Sequence, residues 1–115
     1  MTTTIYGIKN CDTMKKARSW LDARGVSYAF HDYKASGIEA ETLEGWADQV
    51  GWEKLLNRAG TTFRKLPDAD REGIDDGKAI ALMVAQPSMI KRPVLLDGKK
   101  LLVGFSPETY TKEFG

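Results

Sequence analysis

The sequence predicts a mixed α/β fold, and three observations carry that expectation. The chain opens on a strand, helix, strand pattern, and its middle holds apolar residues at helical spacing. Its last third returns to two strand-like runs followed by a helix start. Composition agrees: 42% hydrophobic and 29% charged residues over 115 positions suit one folded domain with a buried core, not a disordered chain.

The first strand is Thr3-Thr4-Ile5-Tyr6-Gly7-Ile8, a β-branched and aromatic run. From Met14 the period changes. Met14, Ala17, Trp20 and Leu21 share one helical face, Lys15, Lys16, Ser19 and Asp22 point elsewhere, and Gly25 supplies a stop. Ser27 to Tyr33 reads as a second strand. Together these form a βαβ unit with parallel strands and a right-handed crossover.

In the middle, Leu43, Trp46, Ala47 and Val50 lie on one helical face, and Trp52, Leu55 and Leu56 continue after a break at Gly51. Core packing is the expected role of Trp20, Trp46 and Trp52. Gly60 to Asp70 is polar and suits a loop or a short helical turn. Asp75 and Asp76 can cap a further helix carrying Ile80, Met83 and Val84, which stops near Pro87. Pro93-Val94-Leu95-Leu96, the turn Asp97-Gly98 and Leu101-Leu102-Val103 make a hairpin signal. Ser106-Pro107-Glu108 then starts a helix with a cap, a first-turn proline and an acid. The order β-α-β, helices, β-β-α is that of a thioredoxin-like fold with a mixed four-stranded sheet. Residues 1–115 are expected to form a single domain, with a helical insertion over about 36–88.

Seventeen Lys and Arg against sixteen Asp and Glu leave a net charge of +1. That balance offers no long-range attraction to nucleic acid or to an anionic membrane, so any anion site is local. Lys99-Lys100 is too short a basic stretch to suggest nucleic-acid binding. No run resembles a signal peptide or reaches the length of a membrane span. One cysteine permits no internal disulfide and suits a reducing, cytoplasmic setting, and Cys11 with the sole histidine, His31, cannot furnish four zinc ligands. A monomer is expected.

Cys11 falls at the junction of the first strand and the first helix. A helix N-terminus presents unpaired N–H groups and about half a positive charge, which favour a thiolate. Such placement draws a cysteine pKa from about 8.5 into a range of roughly 3.5–7.5. Lys9, Lys15 and Lys16 would add to this if they face the loop; Asp12 opposes it unless its side chain caps the helix. An inert apolar filler is the competing reading of a lone cysteine, but the polar Lys9-Asn10 pair before it argues against an apolar stripe. His31, alternating with Tyr33 on the second strand, is expected to pack on the strand surface.

The segment Tyr6-Gly7-Ile8-Lys9-Asn10-Cys11-Asp12-Thr13-Met14-Lys15-Lys16-Ala17 resembles the active-site start of the arsenate reductase (ArsC)/Spx family, and most of all its YffB-like branch. The likeness continues through Asn57-Arg58 with Thr62-Phe63-Arg64-Lys65-Leu66, then Ile90-Lys91-Arg92-Pro93-Val94, then Val103-Gly104-Phe105-Ser106. It implies a glutaredoxin-like fold with Cys11 as nucleophile. In the arsenate reductases three arginines surround the cysteine and hold the oxyanion; Arg58 matches the first and Arg92 the second, while Gly104 stands where the third is expected. The resemblance further makes Arg92–Pro93 a cis peptide facing Cys11, with a backbone edge open to a peptide-like thiol such as glutathione.

Met14 occupies the place of a resolving cysteine, so an external thiol must release an oxidised Cys11, and glutathione is the expected co-substrate. The resulting expectation is a monothiol, glutathione-dependent reductase. Arsenate reduction is one alternative, weakened by Gly104. The other, also implied by the resemblance, is an Spx-like transcriptional regulator that binds RNA polymerase.

Overall fold

The computed structural model describes residues 3–9 and 11–114. Asn10, part of the motif preceding the cysteine, lies outside the described residues. The chain divides into two compact units, one built from the residues up to Asp32 together with those from Arg92 onward, the other spanning Tyr33–Lys91.

In the first unit, β1 (Thr3–Gly7), α1 (Asp12–Ala23) and β2 (Ala29–Asp32) form the βαβ unit, and β3 (Val94–Asp97), β4 (Lys100–Val103) and α8 (Pro107–Phe114) form the ββα unit. The sheet order is β2-β1-β3-β4. β1 and β2 run parallel, whereas β3 is antiparallel to both β1 and β4. This is the thioredoxin fold, with a helical region between its two halves. Alternation along β1 buries Thr3, Ile5 and Gly7. Ile5 packs with Met14, Ala17 and Leu21 of α1, with Leu95 and Leu102 of the hairpin, and with Tyr110 of α8.

Several boundaries differ from the sequence expectation, each for a physical reason. The second strand begins at Ala29, opposite Thr4, and ends at Asp32 because its partner Gly7 is the last residue of β1. Tyr33 instead opens a helical turn with its ring buried. β3 starts at Val94, since Pro93 has no N–H for the ladder, though its carbonyl accepts from the Gly104 N–H at 2.8 Å. The hairpin turn is Gly98-Lys99, one residue later than expected. Asp97 is kept in the ladder opposite Lys100 and accepts a hydrogen bond from the Thr3 hydroxyl at 2.8 Å.

The second unit contains α2 (Tyr33–Ser36), α3 (Ala40–Val50), α4 (Trp52–Leu55), α5 (Thr61–Arg64), α6 (Asp68–Arg71), α7 (Asp76–Ala85) and a 3₁₀ turn at Pro87–Met89. Asp75 caps α7, its carboxylate accepting from the Lys78 N–H at 2.9 Å. Ala79, Ile80 and Met83 form the buried stripe of α7, while Val84, expected in the core, is exposed. It lies in the last turn, at the margin of that stripe. Of the three tryptophans only Trp46 is buried. Trp20 and Trp52 are half-buried, each with a guanidinium above its ring: Arg24 at 4.4 Å and Arg58 at 5.6 Å. Among the described residues no helix is long and apolar enough to cross a membrane.

Candidate active site

Strand pairing decides what lies near Cys11. β1 and β3 are antiparallel with Tyr6 opposite Val94, so the chain leaves β1 toward Cys11 at the end of the sheet where it enters β3 from Arg92 and Pro93. β4 is antiparallel to β3 with Val103 opposite Val94, which brings Gly104 to the same end. Three segments distant in sequence therefore meet there.

Cys11 is the N-cap of α1, with extended backbone angles, and its carbonyl accepts from the Lys15 N–H at 3.0 Å. The cap makes no side-chain hydrogen bond, and Asp12 is the first residue of the helix rather than its cap. The thiol of Cys11 is half-buried. Burial by itself would push its pKa up. The N–H groups of Met14 and Thr13, and then the charge and hydrogen bond of the Arg92 guanidinium, outweigh that and hold it below its ordinary value. Lys15 and Lys16 are exposed on α1, and the cation acting on the sulfur is Arg92.

Arg92 is half-buried and joined to the buried Pro93 by a cis peptide bond. Gly104 has φ +83°, a left-handed conformation that costs any other residue strain. A Cβ there would meet no atom within 4 Å. Backbone geometry, not lack of room, is what sets this position apart from an arginine.

Arg58 belongs to the Tyr33–Lys91 unit, in the turn after α4, where it is exposed above Trp52. That turn is anchored by an antiparallel bridge between Leu56 and Ile90, with the Asn57 N–H donating to Met89 and the Lys91 N–H to Leu55, both at 2.7 Å. His31 packs against the Tyr6 ring, centroids 5.0 Å apart, as a strand-surface residue. Among the described residues no group of three or more His, Cys, Asp or Glu is placed to hold a metal. The donors that sequence reasoning did not single out are the individual amides of Thr13 and Met14. The only signal for them was their position in the first helical turn.

A thioredoxin fold carrying a lone cysteine at the start of its first helix, with an arginine beside the sulfur, defines the class of thiol-bearing protein to which this one corresponds. The chain belongs to the ArsC family, whose model matches residues 6–113. It is similar to the solved structure of the YFFB (PA3664) protein, 59% identical, with a TM-score of 0.95 over 99% of this chain and 100% of that one. An arsenate reductase (ArsC) related protein from Brucella melitensis is 60% identical, with a TM-score of 0.78 over 99% of this chain and 95% of that chain. An uncharacterized protein of Haemophilus influenzae is 38% identical over 111 residues, 96% of this chain and 97% of the relative.

Proposed function

We propose that this protein is a monothiol, glutathione-dependent reductase in which Cys11 is the nucleophile. The observation that carries the reading is the convergence of two helix-start amides and the Arg92 guanidinium on the Cys11 sulfur. A thiolate so held attacks one sulfur of a disulfide. A bond forms between Cys11 Sγ and that sulfur, the disulfide bond breaks, and the other sulfur leaves as a thiolate that takes a proton from water. With a mixed disulfide of glutathione and a substrate thiol, attack on the glutathione sulfur gives a Cys11–glutathione mixed disulfide and releases the reduced substrate thiol; oxidised glutathione gives the same adduct and one reduced glutathione.

No second cysteine exists to resolve it. A second glutathione thiolate therefore attacks the glutathione sulfur of the mixed disulfide, releasing oxidised glutathione and restoring the Cys11 thiolate. Pro93, which the resemblance assigns to binding the glutathione backbone, directly follows Arg92. A guanidinium grips a carboxylate with two parallel hydrogen bonds, which suits a tripeptide bearing two carboxylates. The resemblance gives Arg58 the same kind of task. Gly104 in place of the third family arginine removes one charge-assisted contact, about 1.5–3 kcal/mol, and so favours a thiol substrate over arsenate.

Mass spectrometry after incubation with oxidised glutathione tests the proposal. The native protein should gain one glutathione rapidly. Arg92→Ala should do so about tenfold more slowly at neutral pH, Arg58→Ala more slowly than native, and Cys11→Ser not at all. In parallel, the midpoint of a pH series of thiol alkylation should lie below that of a free cysteine. An ordinary midpoint with an adduct rate insensitive to both arginines would refute the proposal.

A further inference from the structure

β1, an inner strand of the sheet, ends at Gly7, which is buried opposite Asp32 of β2. Above it lies Met14, 1% exposed, from the first turn of α1. A Cβ at Gly7 would overlap Met14 Sδ and lie 2.7 Å from its Cε and 3.1 Å from its Cγ. The thioether is thus seated directly on the bare backbone of β1, in space that any side chain at position 7 would take. Met14 also carries one of the two first-turn amides that favour the Cys11 thiolate.

We infer that Gly7 and Met14 form a matched pair of positioning residues, in which the Met14 side chain resting on the Gly7 backbone sets how closely the first turn of α1 brings its amides to Cys11. The inference deepens the proposed thiolate chemistry and rests on it. The physical reason is leverage. The pull of an amide N–H on a sulfur weakens steeply with distance and angle, and Met14 lies only three positions after Cys11 along the chain. A displacement of Met14 by an added methyl passes into the same peptide unit whose N–H favours the thiolate. Met14 is too enclosed to swing into solvent, because Ile5, Ala17 and Leu21 belong to the same buried cluster. The position that a dithiol motif would give to a second cysteine is here given to a spacer.

A double-mutant cycle tests this, read by the pH midpoint of Cys11 alkylation. Gly7→Ala should move the midpoint to higher pH and slow alkylation below it. Met14→Ala, which empties the space and lets the turn settle, should also raise the midpoint. Gly7→Ala added to Met14→Ala should lower the midpoint again, because the new methyl fills part of the vacated space. The same substitution thus acts in opposite directions in the two backgrounds, which general loss of stability does not produce. Should Gly7→Ala alone fail to fold, the comparison of Met14→Ala with the double variant still decides. A depressed native midpoint unmoved by these changes, or moved the same way in both backgrounds, overturns the positioning role and leaves the proposed chemistry standing. A native midpoint at the ordinary cysteine value overturns both.

Discussion

Tyr110 brings a polar atom into the apolar interior beside the sheet. Its ring is fully buried, edge-on to Phe105 at 4.8 Å and to Trp20 at 5.5 Å, while its hydroxyl has no hydrogen-bond partner among the described residues. Burial pushes the phenol well above its ordinary pKa, so the group stays protonated. An uncompensated buried hydroxyl costs about 1–3 kcal/mol. Tyr110→Phe keeps the ring contacts and removes that cost, so the variant should be more stable by about 1 kcal/mol in urea unfolding. A clear loss of stability would show that the hydroxyl finds a partner in solution. At the same scale, Cys11 was legible as a candidate from its neighbours alone, because helix-end electrostatics act within one turn. The exposure of Val84 was not, since a residue at the margin of a stripe is decided by what packs there.

The C-terminal helix α8 illustrates what one element contributes. Glu113 in its last turn lies at the negative end of the helix, beside Asp97 of β3. Burial raises its carboxyl, the hydrogen bond and charge of Asp97 raise it further, and Lys100 opposes them. A carboxyl raised on folding contributes stability that is fully present below its unfolded value of about 4.3 and is lost as pH rises through the folded value. Glu113→Gln carries no charge at any pH. It should match the native protein in acid and melt at a higher temperature at neutral pH, and thermal unfolding from acid to neutral pH checks this. A variant that melts lower at neutral pH would mean that the Glu113 charge is a net benefit there. The elements themselves were largely visible in the sequence: α1, α3, α7 and both halves of the hairpin follow apolar periodicity. The ends of β2 and the turn at Gly98-Lys99 were misjudged by a residue or two, because the pairing partner, not the strand's own sequence, decides where a ladder stops.

For the whole molecule, stability rests on few residues. A domain of this size is held by a margin of about 5–15 kcal/mol, and in the sheet's unit the apolar contacts centre on one cluster that includes Leu21, Ile5 and Leu95. Leu21 is wholly buried. Leu21→Ala should cost about 2–5 kcal/mol, read as a fall in the urea midpoint with an unchanged slope. A cost below about 1 kcal/mol would mean that the cluster closes over the vacancy. By itself the sequence determined the class of fold, the order of its elements and the cysteine at a helix start, all of which depend on residues close together along the chain. The family resemblance named Arg92, but only the tertiary structure placed it on the sulfur. Antiparallel pairing of β1 with β3 carries the guanidinium there from the far third of the chain, and no local pattern encodes a contact made through a sheet. The fit of Met14 onto Gly7 was likewise decided by packing, because the space above a backbone exists only once strand and helix have met.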